Sequence, residues 1–293
     1  MIHNLLQILI AGLAMGGVYA LVALGYTLIW NAVSVVNFAQ GDLVMVGAFI
    51  AVGTLATQFG LPLWLGLVFT LAAMAALGFA MAWLIYHPLR NAPQISAIVA
   101  TLGLSMLLEN LAILLWGPEP LSFTGPFGNA TIHIAGAQIY LQYLLILAVL
   151  LALMLGQDSL FRRTSLGRAM RATAQDPEAA RLMGIRTSRI IALIFAYAAL
   201  LAGLAGWLVA PLFYVSSDMG VNLSLRAFAA TILGGFGSIP GALIGGLLLG
   251  VIESAGSFYI SSEYIDVIAF GVLFIMLVFR PQGLFGELQT ERP

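Results

Sequence analysis

From Leu63 to Tyr86 the chain reads LWLGLVFTLAAMAALGFAMAWLIY, 24 residues without one charged side chain. Wound as an α-helix at about 1.5 Å per residue, this run covers roughly 36 Å, enough for the roughly 30 Å hydrocarbon core of a bilayer. It lacks the polar–apolar alternation over about 10 residues that marks a barrel strand. Outward from it, comparable runs lie at about 5–30, 43–58, 95–116, 139–156, 190–215, 240–257 and 265–280. The whole chain of 293 residues is 61% hydrophobic and 8% charged, with a mean hydropathy of +1.04. Soluble domains carry about 25% charged residues, so a soluble enzyme, a coiled coil and a disordered tail are excluded. The expectation is an all-α integral membrane protein: one transmembrane domain over 1–293, a polytopic bundle of about eight spans.

Cysteine is absent and all 11 basic residues are arginine. No disulfide framework or thiol-ligated metal is available, and a P-loop would lack its phosphate-binding lysine. His3, His87 and His133 are scattered, and no paired-carboxylate, Ser-His-Asp or HExxH arrangement occurs. No catalytic residue, metal site, cofactor or nucleic-acid partner is expected on this chain. The first apolar run has no basic n-region and outlasts a signal h-region, so it is read as a retained helix.

Charge placement sets the orientation. Arg162, Arg163, Arg168, Arg171, Arg181, Arg186 and Arg189 crowd into 158–189, which the positive-inside rule assigns to the cytoplasm. The arginine-free stretch 117–138, with Pro118, Pro120 and Pro126, then lies outside. Arg90 falls inside, Arg280 and Arg292 argue for a cytoplasmic C-terminus, and Glu263 and Asp266 mark an outside turn. This bookkeeping makes Asn222–Phe236 return across the bilayer in about 15 residues, roughly 22 Å of helix. A short or re-entrant helix buried among others is predicted there. An apolar run, a polar break and a second helix occur in the same order at 5–58 and again from 190, suggesting a two-fold internal repeat offset by about 185 residues.

The first break reads Asn31-Ala-Val-Ser34-Val-Val-Asn37-Phe38-Ala39-Gln40-Gly41-Asp42. Polar residues at membrane depth default to function, so Asn37, Gln40, Gly41 and Asp42 are candidates for the substrate path. The plainer reading has Asp42 N-capping the next helix and Gly41 supplying the turn. The second break ends at Arg226, also a path candidate, which would face Asp42 or Asp218 if either is buried. Thr101, Ser105, Glu109 and Asn110 share a helix face and suit interhelical hydrogen bonds; Glu253 suits an interfacial cap. Gly241, Gly245, Gly246 and Gly250 give small-xxx-small faces for close packing.

The basic stretch holds a well-marked short helix. Asp176 is placed as N-cap, Pro177 at N1, Glu178 in the first turn and Gly184 as C′. Fewer than three turns are marginal alone, so a partner surface is expected, met by Ala180, Leu182 and Met183.

Glu178-Ala179-Ala180, then Gly184 and Ile194 at the spacing seen here, resembles the EAA loop of ABC-importer permeases, the segment that docks on the ATPase subunit. Asn37-Phe38-Ala39-Gln40-Gly41-Asp42 is similar to a motif of the LIV-type branched-chain amino acid permeases, and Arg280-Pro281-Gln282-Gly283-Leu284-Phe285-Gly286 to their C-terminal signature. The EAA pattern's terminal Leu-Pro is missing, Ala196 and Tyr197 standing there. The resemblance implies a permease subunit of an ABC importer, carrying branched-chain or other apolar amino acids inward across a bacterial inner membrane. It also implies Asp176, Glu178, Ala179, Ala180 and Gly184 as the ATPase-coupling residues. Its partners would be a second related permease chain, two cytoplasmic ATP-binding subunits and a periplasmic substrate-binding protein. Other amino acids, urea or amides, and small carboxylates are carried by related permeases. A self-sufficient secondary transporter or channel is the competing reading, for which a capped docking helix has no use.

Overall fold

The computed structural model describes residues 2–56, 63–134 and 136–286. Among these residues twelve α-helices run in the order α1 Ile2–Val33, α2 Gln40–Ala48, α3 Leu63–Met81, α4 His87–Leu89, α5 Gln94–Trp116, α6 Leu141–Arg163, α7 Ser165–Gln175, α8 Pro177–Leu182, α9 Thr187–Val209, α10 Met219–Gly234, α11 Ile239–Tyr259 and α12 Ile265–Phe279. Two π-helical stretches, Phe49–Ala56 and Ala82–Tyr86, prolong α2 and α3. Among the described residues seven helices are long and apolar enough to cross a membrane: His3–Val33, Trp64–Leu89, Gln94–Trp116, Leu141–Arg163, Thr187–Val209, Ile239–Tyr259 and Ser262–Phe279. The eighth run of the sequence, 43–58, forms the shorter α2 and its π-helical extension. At 16 residues α10 is about 24 Å long, the short helix that the charge bookkeeping demands. The chain is a polytopic all-α membrane protein, with one small addition missed by the sequence reading: an antiparallel ribbon of β1 Thr131–Ile134 on β2 Ala137–Tyr140.

The core pairs are α1 with α11 and α9 with α3. Along the first pair the glycine faces meet: a methyl on Gly16 would lie 2.7 Å from the Gly246 carbonyl, and one on Gly12 would lie 2.8 Å from the Val251 Cα. Without a hydrophobic drive between helices in lipid, such backbone-to-backbone approach is what holds them together. Exchanging α1 with α9, α2 with α10 and α3 with α11 maps these pairings onto one another: α1–α11 becomes α9–α3, and α2–α9 becomes α10–α1. α1 and α9 run in opposite directions, the arrangement of an inverted repeat.

The two ends of the bundle carry different material. At one end lie His3 against Gly136, the Leu121–Val215 bridge and the start of α12. At the other, Arg90 and Arg181 line one recess, and Trp30, Asn31 and Arg171 line another. The stretches 117–138 and 158–189 therefore sit on opposite ends. The helix α6 runs on to Arg163, so 158–163 is helix rather than the start of a loop. Arg280 shares the end of 158–189, because the turn after it closes α10: Leu284 N–H donates to the Leu233 carbonyl (3.0 Å) and Phe285 N–H to that of Gly234 (2.9 Å). These are last-turn carbonyls that a helix leaves unpaired. Arg292 lies outside the described residues.

Candidate functional site

The candidate residues lie in three places. The first is the break before α2. Asn37, Gln40 and Asp42 are all buried. The Gln40 side chain donates to the Ala198 carbonyl of α9 (3.1 Å), Asn37 donates to Gln40 Oε1 (3.4 Å), and Phe38 N–H donates to Thr101 Oγ1 (3.3 Å). Across from them the Tyr26 and Ser224 hydroxyls are hydrogen-bonded. Asp42 does not cap α2. The helix starts at Gln40, with Ala39 at the N-cap, because a turn from Asn37 O to Gln40 N begins the winding earlier. Gly41 is helical and not a turn glycine; a methyl there would meet Gly220 and Ser224 of α10, 2.9 Å from the Ser224 Cα. Asp42 lies against Gly220 and Ser105, with its Oδ1 unpaired. Glu109 is half-buried beyond it, while Asn110 is exposed and donates to the Met106 carbonyl of its own helix (2.7 Å).

The second place is around Arg226. It does not face Asp42, since Gly220 and Ser224 occupy the α2-facing side of α10, and its ion pairs are with Glu253 and Asp266 rather than with the exposed Asp218. Its Nη2 donates to Asp266 of α12 (2.7 Å), its Nη1 to the Tyr19 hydroxyl (3.4 Å), and its Nε lies 3.7 Å from Glu253 Oε1. Glu253 is no interfacial cap either: only 5% exposed, it accepts from the Tyr19 hydroxyl at Oε2 (2.7 Å). Arg226, Tyr19 and Glu253 stand on a cavity of about 470 Å³ bounded by α1, α6, α10, α11 and the start of α12, also lined by Ile8, Met15 and Phe213. It opens at the end opposite the basic segment.

The third is the basic segment. Thr164 caps α7 by accepting from Gly167 N–H (3.0 Å), and Gly167, Met170 and Thr173 point inward while Arg168 and Arg171 are exposed. Asp176 Oδ1 accepts from the N–H groups of Glu178 and Ala179, both at 2.9 Å. α8 ends in a Schellman closure: Gly184, at φ 84°, donates to Arg181 O (2.9 Å), and Ile185 donates to Ala180 O (3.0 Å). Arg181 Nε ties the helix to Thr187 Oγ1 of α9 (2.8 Å). Ala180 is not presented outward. It is 4% exposed, whereas Leu182 and Met183 are 89% and 83% exposed. With the helix anchored through Arg181, its small residue turns to the bundle and its large apolar pair turns away.

The structure thus brings together Asn37, Gln40, Gly41 and Asp42 and sets Arg226, which the sequence reading groups with them, apart. The sequence reading misses the roles of Tyr19, Glu253 and Asp266 around Arg226, which come from α1, α11 and α12; its one signal there was an acid within an apolar run.

Residues 8–277 match the family model described as branched-chain amino acid transport system / permease component. The chain is 36% identical to the high-affinity branched-chain amino acid transport system permease protein BraD of Pseudomonas aeruginosa, over 99% of each chain. It is 34% identical to the corresponding protein LivH of Escherichia coli K12, over 98% of this chain and 97% of that one. Among solved structures, PsaBC from Streptococcus pneumoniae, in complex with Fab, superposes with a TM-score of 0.52 at 16% identity, covering 97% of this chain and 94% of the other. That likeness concerns the fold.

Proposed function

The chain belongs to the permease component family of branched-chain amino acid transport systems, and from that premise we propose how its geometry serves an importer. It is the transmembrane permease subunit of an ABC importer for branched-chain amino acids, driven by ATP hydrolysis on separate subunits. It hydrolyses nothing itself and needs no cofactor of its own; the lysine-free sequence accords with this. Its companions are ATP-binding subunits on the basic end, a substrate-binding protein on the other, and a second related permease chain alongside. The membrane is the bacterial inner membrane, with the C-terminus inside.

The observation that carries this reading is α8, a six-residue helix capped at both ends yet showing Leu182 and Met183 to the outside. Two exposed large apolar residues on so short a helix amount to a surface built for a partner. The helix docks through Leu182 and Met183, while Asp176, Glu178, Ala179, Ala180 and Gly184 shape it. At the break, Asn37, Gln40, Gly41 and Asp42 bear on the path by bracing α2 against α9 and α10, and Arg226 meets it directly.

The test is uptake of radiolabelled L-leucine, L-isoleucine and L-valine by cells lacking their own branched-chain uptake and expressing the whole transporter. Uptake is expected, and is lost when the ATP-binding subunit is inactivated. Leu182→Glu with Met183→Glu lowers it at least tenfold while the chain still reaches the membrane. Native uptake by that double variant removes α8 from the coupling role. Because the chain has no cysteine, Ser122→Cys and Ser165→Cys check orientation: an impermeant maleimide labels the first from outside and the second only from inside.

A further inference from the structure

We propose that the cavity walled by α1, α10 and α11 is a station for the zwitterionic head of an apolar α-amino acid, with Arg226 holding the carboxylate and Glu253 the ammonium. This rests on the transport reading above and deepens it.

At about 470 Å³ the cavity falls within the roughly 300–1,000 Å³ of small-molecule sites. Such sites join apolar walls to a few placed polar groups. Here Ile8, Ala11, Met15 and Phe258 supply the wall, and Arg226, Glu253 and Tyr19 are among the polar groups. A second cavity of about 340 Å³ shares Met15, Phe213 and Arg226 with the first and is lined by Asp218 and Asp266. Arg226 therefore stands where the two spaces join, at the end of the bundle away from α8.

Glu253 and Arg226 both have bonding capacity to spare. Glu253 Oε2 is satisfied by Tyr19, but Oε1 has no donor, and Arg226 Nε at 3.7 Å is beyond hydrogen-bond length. A carboxylate oxygen buried without a donor is costly. Oε1 is sealed where it stands, so a small turn of the Glu253 side chain, which already lines the cavity, brings it to an ammonium there, whose three donors and positive charge suit it. Arg226 carries five N–H donors in a planar fork suited to a carboxylate, and its Nη contacts to Asp266 and Tyr19 leave donors over. Asp266 is the exchangeable partner: its side chain is 65% exposed, and such pairs are held weakly. When a substrate carboxylate takes its place, Asp266 turns to water. Charge balance at the guanidinium is unchanged, and Glu253 gains its missing donor.

The test uses the assembled transporter carrying Ser257→Cys, a position on the cavity wall in an otherwise cysteine-free chain. An impermeant methanethiosulfonate applied from the substrate-binding side is expected to modify it, read by mass on this chain. Millimolar L-leucine should slow modification at least threefold. 3-Methylbutylamine, without the carboxylate, and 4-methylpentanoate, without the ammonium, should not. Adding Arg226→Gln abolishes the protection; if that variant fails to assemble, Arg226→Lys keeps the charge and loses the fork, and protection should weaken severalfold. Protection by the amine equal to that by leucine, or protection untouched by either arginine variant, overturns the proposal. So does leucine uptake by the Ser257→Cys transporter with no leucine protection, which leaves the transport reading standing. A parent transporter that imports none of the three branched-chain amino acids brings down that reading and this proposal with it.

Discussion

At the start of α2, Asn37, Gln40 and Asp42 are sealed among helices, while halfway along α10 Arg226 stands on the wall of an open cavity. Each follows the first long helix of its half of the bundle. The difference lies in what each kind of group requires. Amides are neutral and can be satisfied by a backbone carbonyl, as Gln40 is by Ala198, so they can be closed off and used to fix one helix on another. A guanidinium must keep counter-ions or water within reach, so the structure leaves it a cavity and two acids. On the reading proposed above, the start of α2 braces the bundle and the middle of α10 receives a ligand, and substitutions should separate the two roles.

The largest effect is expected from Gly41→Val. Its side chain would press into the α10 backbone at Gly220 and Ser224. α2 cannot retreat, because a methyl on Gly206 of α9 would already meet Ala48 N at 2.8 Å on its other side. Backbone offers no rotamer to move, and overpacking of this kind costs about 1–3 kcal/mol or more. The variant should fail to give a folded, monodisperse protein on size exclusion. Normal recovery would mean that α2 and α10 are free to part, and the brace would be no brace.

Gln40→Ala comes next. It removes the donor to Ala198, strands Asn37 and leaves a void over Gly25, whose added methyl would lie 2.8 Å from Gln40 Cδ. A loss of about 2–3 kcal/mol follows from the void and the broken bonds, read as a lowered thermal midpoint in detergent, with uptake falling only as folded protein falls. Uptake lost at an unchanged midpoint would move Gln40 from the brace to the path. Asp266→Asn should do less to stability, about 0.2–1 kcal/mol for so exposed a pair. Under the same measurement a large drop would show Asp266 to be a fixed strut rather than an exchangeable partner.

What the sequence made legible was local. The spans follow from apolar runs, and α8 follows residue by residue from Asp176, Pro177 and Gly184, because caps act through neighbours in the chain. The inward turn of Ala180 was not legible, since it depends on Arg181 reaching Thr187 and on packing against α9. Nor were the partners of Arg226: Tyr19, Glu253 and Asp266 lie on three other helices, and no periodicity links them. The N-cap reading of Asp42 failed for a related reason. The residue is a competent cap by type, but the Asn37–Gln40 turn starts the helix three residues earlier, and packing against Gly220 places the carboxylate inside.

Asp42→Asn should have the smallest effect and divides the two regions most sharply. The amide would keep the shape and volume of the side chain while removing a charge whose Oδ1 has no partner. Where a buried charge is uncompensated, a neutral replacement is commonly tolerated or stabilising, so the thermal midpoint should hold or rise slightly. Uptake of L-leucine should stay near the parental rate, because the residue packs on Gly220 and lines neither of the cavities that Arg226 joins. The neutral substitution at Glu253, Glu253→Gln, should instead lower uptake severalfold, since it withdraws the charge offered to the ammonium. If Asp42→Asn slowed uptake as much as Glu253→Gln at an unchanged midpoint, the sealed break would carry substrate after all, and the passage would have to open between α2 and α10 during transport.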